Sequence, residues 1–372
     1  MSTVRIAMVA GETSGDILGA QVIKALKKRL PHLEFEGIGG PRMVEAGFSS
    51  WFDMERLSVM GLFEPLKRLP ELLSIRKQLK THWLKHPPDL FVGIDAPDFN
   101  LNIEIALKAH GVPTAHLVCP TVWAWRKGRI KTIAKACDDL LCLFPFEPHS
   151  FEGTKVRAHF VGHPMVEALQ ELPSEPDIRS KFSVSDAPVL ALLPGSRRSE
   201  IELLLPTYLA AIKECKVSHQ IVIPASSGAN YELIQSMLDS FSIKARVVDG
   251  GSREILKIAE LAIVTSGTAT LEAALLQCPM VIAYRMSPLS WFVIKRLIRT
   301  PFAGLPNIML GRLVVPELIQ ERLTSQTLAE QVQALLRDGA ADQKTAFKEI
   351  LTALNGRFGD QCASVLMGTL GR

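Results

Sequence analysis

Short, uninterrupted apolar runs alternate with longer stretches of helical periodicity from one end of the chain to the other. Val4–Ala10, Leu90–Ile94, Thr114–Val118, Leu140–Phe144 and Ala158–Val161 form one series of runs. Val189–Leu193, Gln220–Ile223, Ala245–Val248, Leu261–Val264 and Met280–Ala283 form a second. A strand with one wet face alternates apolar and polar residues, whereas a continuous run suits a parallel strand covered by helices on both sides. Two such series predict an α/β chain of two doubly wound domains. A length of 372 residues agrees, since single cores stop growing well below it. The polar stretch Glu171–Pro188, with prolines at 173, 176 and 188, reads as the linker. It divides an N-terminal domain over 1–170 from a C-terminal one over 171–345, and 346–372 reads as a helical segment able to pack back on the first domain.

Ligands of open α/β sheets bind beyond the carboxyl ends of the strands, so the residues that follow each run are the ones to inspect. The first run leads into Gly11-Glu12-Thr13-Ser14-Gly15-Asp16, a glycine-bearing turn that has neither the dinucleotide fingerprint nor a P-loop. Its acids fit either a capped turn or a functional loop. After Leu90–Ile94 comes Asp95-Ala96-Pro97-Asp98. Asp95 should face the gap between the domains, where partial burial would make it a better proton acceptor, and Asp98 should cap the next helix. Trp123, Trp125, Arg126 and Arg129 suit a sugar or acyl group, or equally a packed surface between domains. His163 reads as a hydrogen-bonded hinge more readily than as a base. Leu193-Pro194-Gly195-Ser196-Arg197 opens a helix whose free N–H groups, with the Arg197 fork, suit phosphate. Ser266-Gly267-Thr268-Ala269-Thr270-Leu271-Glu272 repeats the device. Two anion-friendly loops in one domain point to a nucleotide diphosphate, with Glu272 placed to accept from ribose hydroxyls.

Composition narrows this only a little. With 47% hydrophobic and 22% charged residues the chain suits a well-packed globule, and no stretch approaches the ~18 apolar residues that span a bilayer. The apolar run Ile6–Ala10 is too short for a signal peptide, so a cytoplasmic protein is expected. A net charge of +4 gives no reason to expect nucleic acid. Six scattered cysteines, with no C-x-x-C pair, predict neither metal nor disulfide. Residues 60–85 stand apart: Leu62, Phe63, Leu66, Leu69, Leu72, Leu73 and Leu79 are interleaved with Lys67, Arg68, Arg76, Lys77, Lys80 and Lys85. Such a stretch fits a helix lying on an anionic membrane, or a core-facing helix with solvated lysines.

The motifs AGETSGDILGA (10–20), GIGGPRM (37–43), GIDAPDFN (93–100), VWAWR (122–126), FVGHPM (160–165), LLPGSR (192–197), SGTATLEAALLQCPMVIAYR (266–285), LPNIMLGR (305–312) and PELIQ (316–320) occur in this order along nearly the whole chain. In them the chain closely resembles the lipid-A-disaccharide synthases, bacterial glycosyltransferases of the GT-B fold. Cys119-Pro120-Thr121 departs from the Ser-Pro-Ser usual in that family. The resemblance implies two Rossmann-like domains facing across a cleft. It also implies transfer from UDP-2,3-diacylglucosamine to 2,3-diacylglucosamine 1-phosphate, without metal or cofactor, at the cytoplasmic face of the inner membrane. Asp95 matches the general base, and Glu12, Ser14 and Asp16 match an essential loop on the acceptor side. Arg197, Ser266, Gly267, Thr268, Thr270, Glu272, Asn307, Glu317 and Gln320 match nucleotide-binding positions. Acylated substrates favour the membrane reading of residues 60–85, with Phe63, Leu66, Leu69, Leu72 and Leu73 as the acyl-facing side. Two alternatives are another GT-B enzyme, such as a UDP-GlcNAc 2-epimerase, and a non-catalytic nucleotide-sugar-binding regulator.

Overall fold

Each of the ten apolar runs contributes to a parallel strand in the computed structural model. The structure describes residues 3–57, 64–122, 128–297 and 300–371, with side chains left out at 64–68, 289, 293, 294 and 297. The chain forms two units, Met1–Pro164 with Leu354–Arg372, and Met165–Ala353.

The first unit holds β1 (Val4–Ala10), β2 (Leu33–Ile38), β3 (Ser49–Ser50), β4 (Leu90–Ile94), β5 (Thr114–Leu117), β6 (Asp139–Cys142) and β7 (Arg157–Phe160), in the sheet order β3-β2-β1-β4-β5-β6-β7. The second holds β8 (Val189–Leu193), β9 (Gln220–Ala225), β10 (Arg246–Asp249), β11 (Ala259–Val264), β12 (Met280–Tyr284) and β13 (Glu317–Ile319), in the order β10-β9-β8-β11-β12-β13. Successive residues, which point to opposite faces, are buried alike, as are Met8 and Val9 or Phe91 and Val92 in one sheet and Leu190 and Ala191 or Ile263 and Val264 in the other. Each of the larger side chains contributes ~1.5–3 kcal/mol. These residues therefore form strands because helices cover both sides of the sheet.

Three strands escape the apolar pattern. Glu34 and Glu36 interrupt β2, yet Glu36 Oε1 accepts from Arg5 at 2.8 Å and from the Trp83 indole at 3.1 Å, which makes a polar strand residue tolerable. β3 and β13 are too short to show a period. The expected linker is a further difference. Its residues 175–182 form a helix, with Ile178 and Phe182 buried, and Lys257 Nζ donates to the Pro173 carbonyl at 2.8 Å. Pro176 lies in the first turn of that helix, and the stretch belongs to the second unit.

The C-terminal helix Phe358–Thr369 lies against helix Thr13–Arg29 in the first unit. Gly359 allows the approach, since a Cβ there would come within 3.3 Å of Ala25 Cβ and of the Gln21 carbonyl. Arg29 Nη1 donates to Ser364 Oγ at 2.7 Å. Thr369 Oγ1 donates at 2.8 Å to Asp139, a buried carboxylate that also accepts from Arg157 Nε and His159 Nε2, each at 2.8 Å. Burial pushes the Asp139 carboxyl up, but the bonds from His159, Arg157 and Thr369 outweigh it and hold the group well below the usual carboxylate range.

A carboxylate held low in the fold adds stability above its unfolded value of ~3.9 and loses it as pH falls further. Asp139→Asn should therefore cost about 2 kcal/mol at pH 7, and the difference from the parent should shrink below about pH 4. Urea melts at both pH values check this; a constant difference would contradict it.

Candidate functional site

Where neighbouring parallel strands send the chain in opposite directions, their following loops part and leave a gap beyond the carboxyl ends. The gaps here fall between β1 and β4 in the first unit and between β8 and β11 in the second.

In the second unit, the loop after β8 runs into helix Arg198–Cys215 and the loop after β11 into helix Thr268–Leu275. Together they line a cavity of about 380 Å³. Gly195 has a φ of 113°, and a Cβ there would lie 2.5 Å from the Glu200 carboxylate, so glycine is required. Thr265 Oγ1 donates to the Leu193 carbonyl at 2.9 Å and ties the two strand ends together. Ser226 Oγ and Asn230 Nδ2 donate to the Ser196 carbonyl at 3.0 and 2.8 Å, fixing the loop from the other side. Glu200 and Thr270 N–H donate to the Arg197 and Gly267 carbonyls at 3.0 and 3.1 Å, and the N–H groups ahead of them, which have no acceptor a turn back in their helices, favour an anion together with the macrodipoles. The Arg197 side chain is 77% exposed at the rim, with Nη1 2.7 Å from Glu200 Oε1. An exposed pair contributes only ~0–1 kcal/mol. A diphosphate, which offers the fork two charge-assisted bonds, is the stronger partner.

Ser266, Gly267 and Thr268 line this cavity, and Ser266 Oγ donates to the Ala303 carbonyl at 3.0 Å. The other expected nucleotide contacts are not among its lining residues. Thr270 is buried, bonded to the Gly267 carbonyl at 2.8 Å and accepting from Leu305 N–H at 3.3 Å. Asn307 is fully buried: Oδ1 accepts from Val314 and Val315 N–H, and Nδ2 donates to the Val315 carbonyl and Glu317. Glu317 also accepts from the N–H groups of Ala303 and Gly304, at 2.8 and 2.9 Å. Through these bonds Thr270, Asn307 and Glu317 brace the Ser266 loop. Glu272 is held by Arg253 Nε at 2.8 Å. Gln320 is buried in a left-handed conformation, and its Nε2 has no protein partner among the described residues.

In the first unit, half-buried Asp95 follows β4. Its φ is 49° and that of Ala96 is 43°, two successive left-handed residues without glycine. That conformation costs ~1–2 kcal/mol per residue and calls for external restraint. Asp95 N–H donates to the Leu117 carbonyl at 2.8 Å, and Asn100 Nδ2 donates to the Asp95 carbonyl at 2.8 Å. Asp95 lines a cavity of about 270 Å³ with Pro97, Val118, Cys119, Pro120 and Arg129 among others. Asp98 is not the helix cap. Pro97 is already helical, so Ala96 takes that place, and exposed Asp98 pairs with Arg129 at 2.5 Å. Trp123, Trp125 and Arg126 lie outside the described residues. Burial pushes the His163 imidazole down to about 4, which keeps it neutral.

The Glu12 loop stands beside Asp95: a Cβ on Gly11 would lie 3.1 Å from Ala96 Cβ. Glu12 and Ser14 are exposed there, open to a ligand. Asp16 is not. It is buried and accepts from the N–H groups of Arg42 and Met43 at 3.0 and 2.9 Å, clamping the Gly39-Gly40-Pro41 turn. That turn and Asp16 itself border a cavity of about 800 Å³. The sequence also hides a grouping of Cys119, Cys142 and Glu147, whose Sγ and carboxylate atoms lie within 4.8 Å of one another, because only the pairing of β5 with β6 brings them together. A hydrogen bond with Cys142 and burial push the Cys119 thiol far up, so it packs as a neutral group.

Helix Glu64–Lys85 buries one side and exposes leucines on another. Ile75, Leu79 and Trp83 are buried in the core, whereas Leu69 and Leu73 are 46% and 44% exposed. Leu72 is half-buried, Phe63 lies outside the described residues, and the Leu66 side chain is likewise not described. Among the described residues, no helix is long and apolar enough to cross a membrane.

A family model described as Lipid-A-disaccharide synthetase matches residues 6–363. A Lipid-A-disaccharide synthase of Paraburkholderia xenovorans is 45% identical over 362 residues, covering 95% of this chain and 92% of that one. One of Saccharophagus degradans is 46% identical over 339 residues, covering 89% and 87%. Among solved structures, a UDP-GlcNAc 2-epimerase from Neisseria meningitidis bound to UDP-GlcNAc superposes with a TM-score of 0.64 at 11% identity, covering 100% of this chain and 99% of that one. The calicheamicin glycosyltransferase CalG4 does so with a TM-score of 0.63 at 16% identity, again covering 100% and 99%. At such identities these likenesses establish the fold, which is GT-B. Matched along nearly all of its length, the chain belongs to the lipid-A-disaccharide synthase family.

Proposed function

We propose that the chain, an enzyme of this glycosyltransferase family, passes the sugar of UDP-2,3-diacylglucosamine to the 6-hydroxyl of 2,3-diacylglucosamine 1-phosphate. The products are the β-1,6-linked disaccharide 1-phosphate and UDP. The observation that carries this reading is that each sheet presents a built pair of loops at its switch point. Asp95 stands beside the Glu12 turn in one, and the Gly195–Arg197 and Ser266–Thr268 loops share a cavity in the other.

In an inverting transfer the acceptor oxygen forms its bond to the anomeric carbon from the side opposite the departing diphosphate. Asp95, within ~3 Å of the hydroxyl, takes the proton as that bond forms. Helix N-termini and Arg197 receive the charge that grows on UDP. Glu12 and Ser14, exposed beside Asp95, orient the acceptor sugar. The acylated substrates come from an anionic inner-membrane surface, on which Leu69 and Leu73 dock with the basic residues of their helix. A family of disaccharide synthases leaves the epimerase and regulator alternatives without support.

Asp95→Asn should keep the fold and lower kcat by about two orders of magnitude or more, measured as disaccharide formed per enzyme. Near-normal turnover would remove the base from the scheme. Since Leu72 is half-buried and Leu73 exposed, the informative membrane variant is Leu69→Ser with Leu73→Ser. It should weaken binding to anionic vesicles by about tenfold or more at unchanged thermal midpoint. Undiminished sedimentation with vesicles would rule out that face.

A further inference from the structure

Beneath the Asp95 turn lies a polar group that the proposed chemistry does not use. Glu104, on helix Pro97–Ala109, and His116, on β5, are both fully buried, with Nδ1 and Oε1 2.7 Å apart. The two meet across β4 at Gly93, which is paired in register with His116. A Cβ on Gly93 would lie 2.1 Å from Glu104 Oε1 and 3.1 Å from His116 Nδ1, so the strand makes room for this pair by having no side chain there. One helical turn nearer the site, fully buried Asn100 donates to the Asp95 carbonyl at 2.8 Å and to the Val9 carbonyl at 3.2 Å.

We propose that Glu104 and His116 are positioning residues for Asp95, a buried pair that bolts the helix to β5 and so holds the left-handed turn between β4 and that helix in its working shape. This rests on the reading of Asp95 as the base. The connectivity supports it directly. The Asp95–Ala96 turn is the sole covalent link between β4 and helix Pro97–Ala109, and Asn100 and Glu104 anchor the first two turns of that helix. Stability does not account for the pair, because apolar residues of similar volume commonly serve a core as well as a buried ion pair does. Asn100 Oδ1, Glu104 Oε2 and His116 Nε2 also have no protein partner among the described residues, and a core selected only for packing avoids such groups. Burial pushes the His116 imidazole down, but the charge and hydrogen bond of Glu104 and the charge of Asp95 outweigh it and raise it above its ordinary value.

The test is a double-mutant cycle with purified full-length protein and both acylated sugars. Glu104→Gln keeps the shape and removes the charge. It should lower kcat by about 10- to 100-fold, leave both KM values within about twofold, and keep the thermal midpoint within a few degrees. Added to Asp95→Asn it should lower turnover by less than about twofold, since both act through one group. The proposal is overturned by wild-type kcat in folded Glu104→Gln, or by losses that multiply in the double variant. Should Glu104→Gln fail to fold, Glu104→Leu with His116→Leu, an apolar pair that fills the space without the bond, carries the same test, and full turnover in that folded variant overturns it. Full turnover in Asp95→Asn alone sinks the base assignment and this proposal with it. An inactive Asp95→Asn beside a fully active Glu104→Gln sinks this proposal only.

Discussion

A parallel sheet built outward from its middle has one place where its loops part, and the candidate site in each unit depends on that constraint. Between β1 and β4 it sets the Glu12 turn beside Asp95; between β8 and β11 it joins two helix N-termini around one cavity. Neither arrangement needs a special element. Each needs glycine where the backbone must turn sharply or a carboxylate must approach, as at Gly195, and buried hydrogen bonds that stop the loops from drifting. Thr265 does this for one unit and Asn100 for the other.

Much of this was legible in the residues, for a physical reason. A strand covered on both faces writes a continuous apolar run, so ten of the strands announce themselves, while β2 conceals itself behind Glu36, whose partners Arg5 and Trp83 are distant in sequence. Loops after strands could be located for the same reason. Which of their side chains face solvent could not. Amides and carboxylates serve ligands and backbone turns equally well, so the residues alone do not show that Asn307 makes four amide bonds to its own surroundings or that Asp16 clamps a turn. Glu104 was harder still. In Asn102-Ile103-Glu104-Ile105 it looks like a solvated helix position, and its place depends on a glycine eleven residues earlier in a neighbouring strand. In the stretch 171–188 Pro176 sits in the first turn of a helix, a place the residue suits as well as a linker.

The two kinds of loop also differ in energy, in the direction their tasks require. The anion cavity is made largely of backbone dipoles and an arginine in a weak exposed pair, so a ligand finds little to displace. The Asp95 turn, in contrast, stores strain in two consecutive left-handed residues and is held by fully buried polar groups on two sides. On the proposed reading, a base that must meet one hydroxyl at one angle gains from such rigidity, whereas a diphosphate is met adequately by any well-directed set of N–H groups.

The account stands or falls on sugar transfer between two acylated substrates. The most direct measurement is to incubate the purified chain with UDP-2,3-diacylglucosamine, with and without 2,3-diacylglucosamine 1-phosphate, and to quantify products by mass spectrometry. UDP and disaccharide 1-phosphate appearing in equal amounts, and only when the acceptor is present, is the predicted result. Consumption of the UDP-sugar without acceptor, or binding of both compounds with no disaccharide, would contradict it.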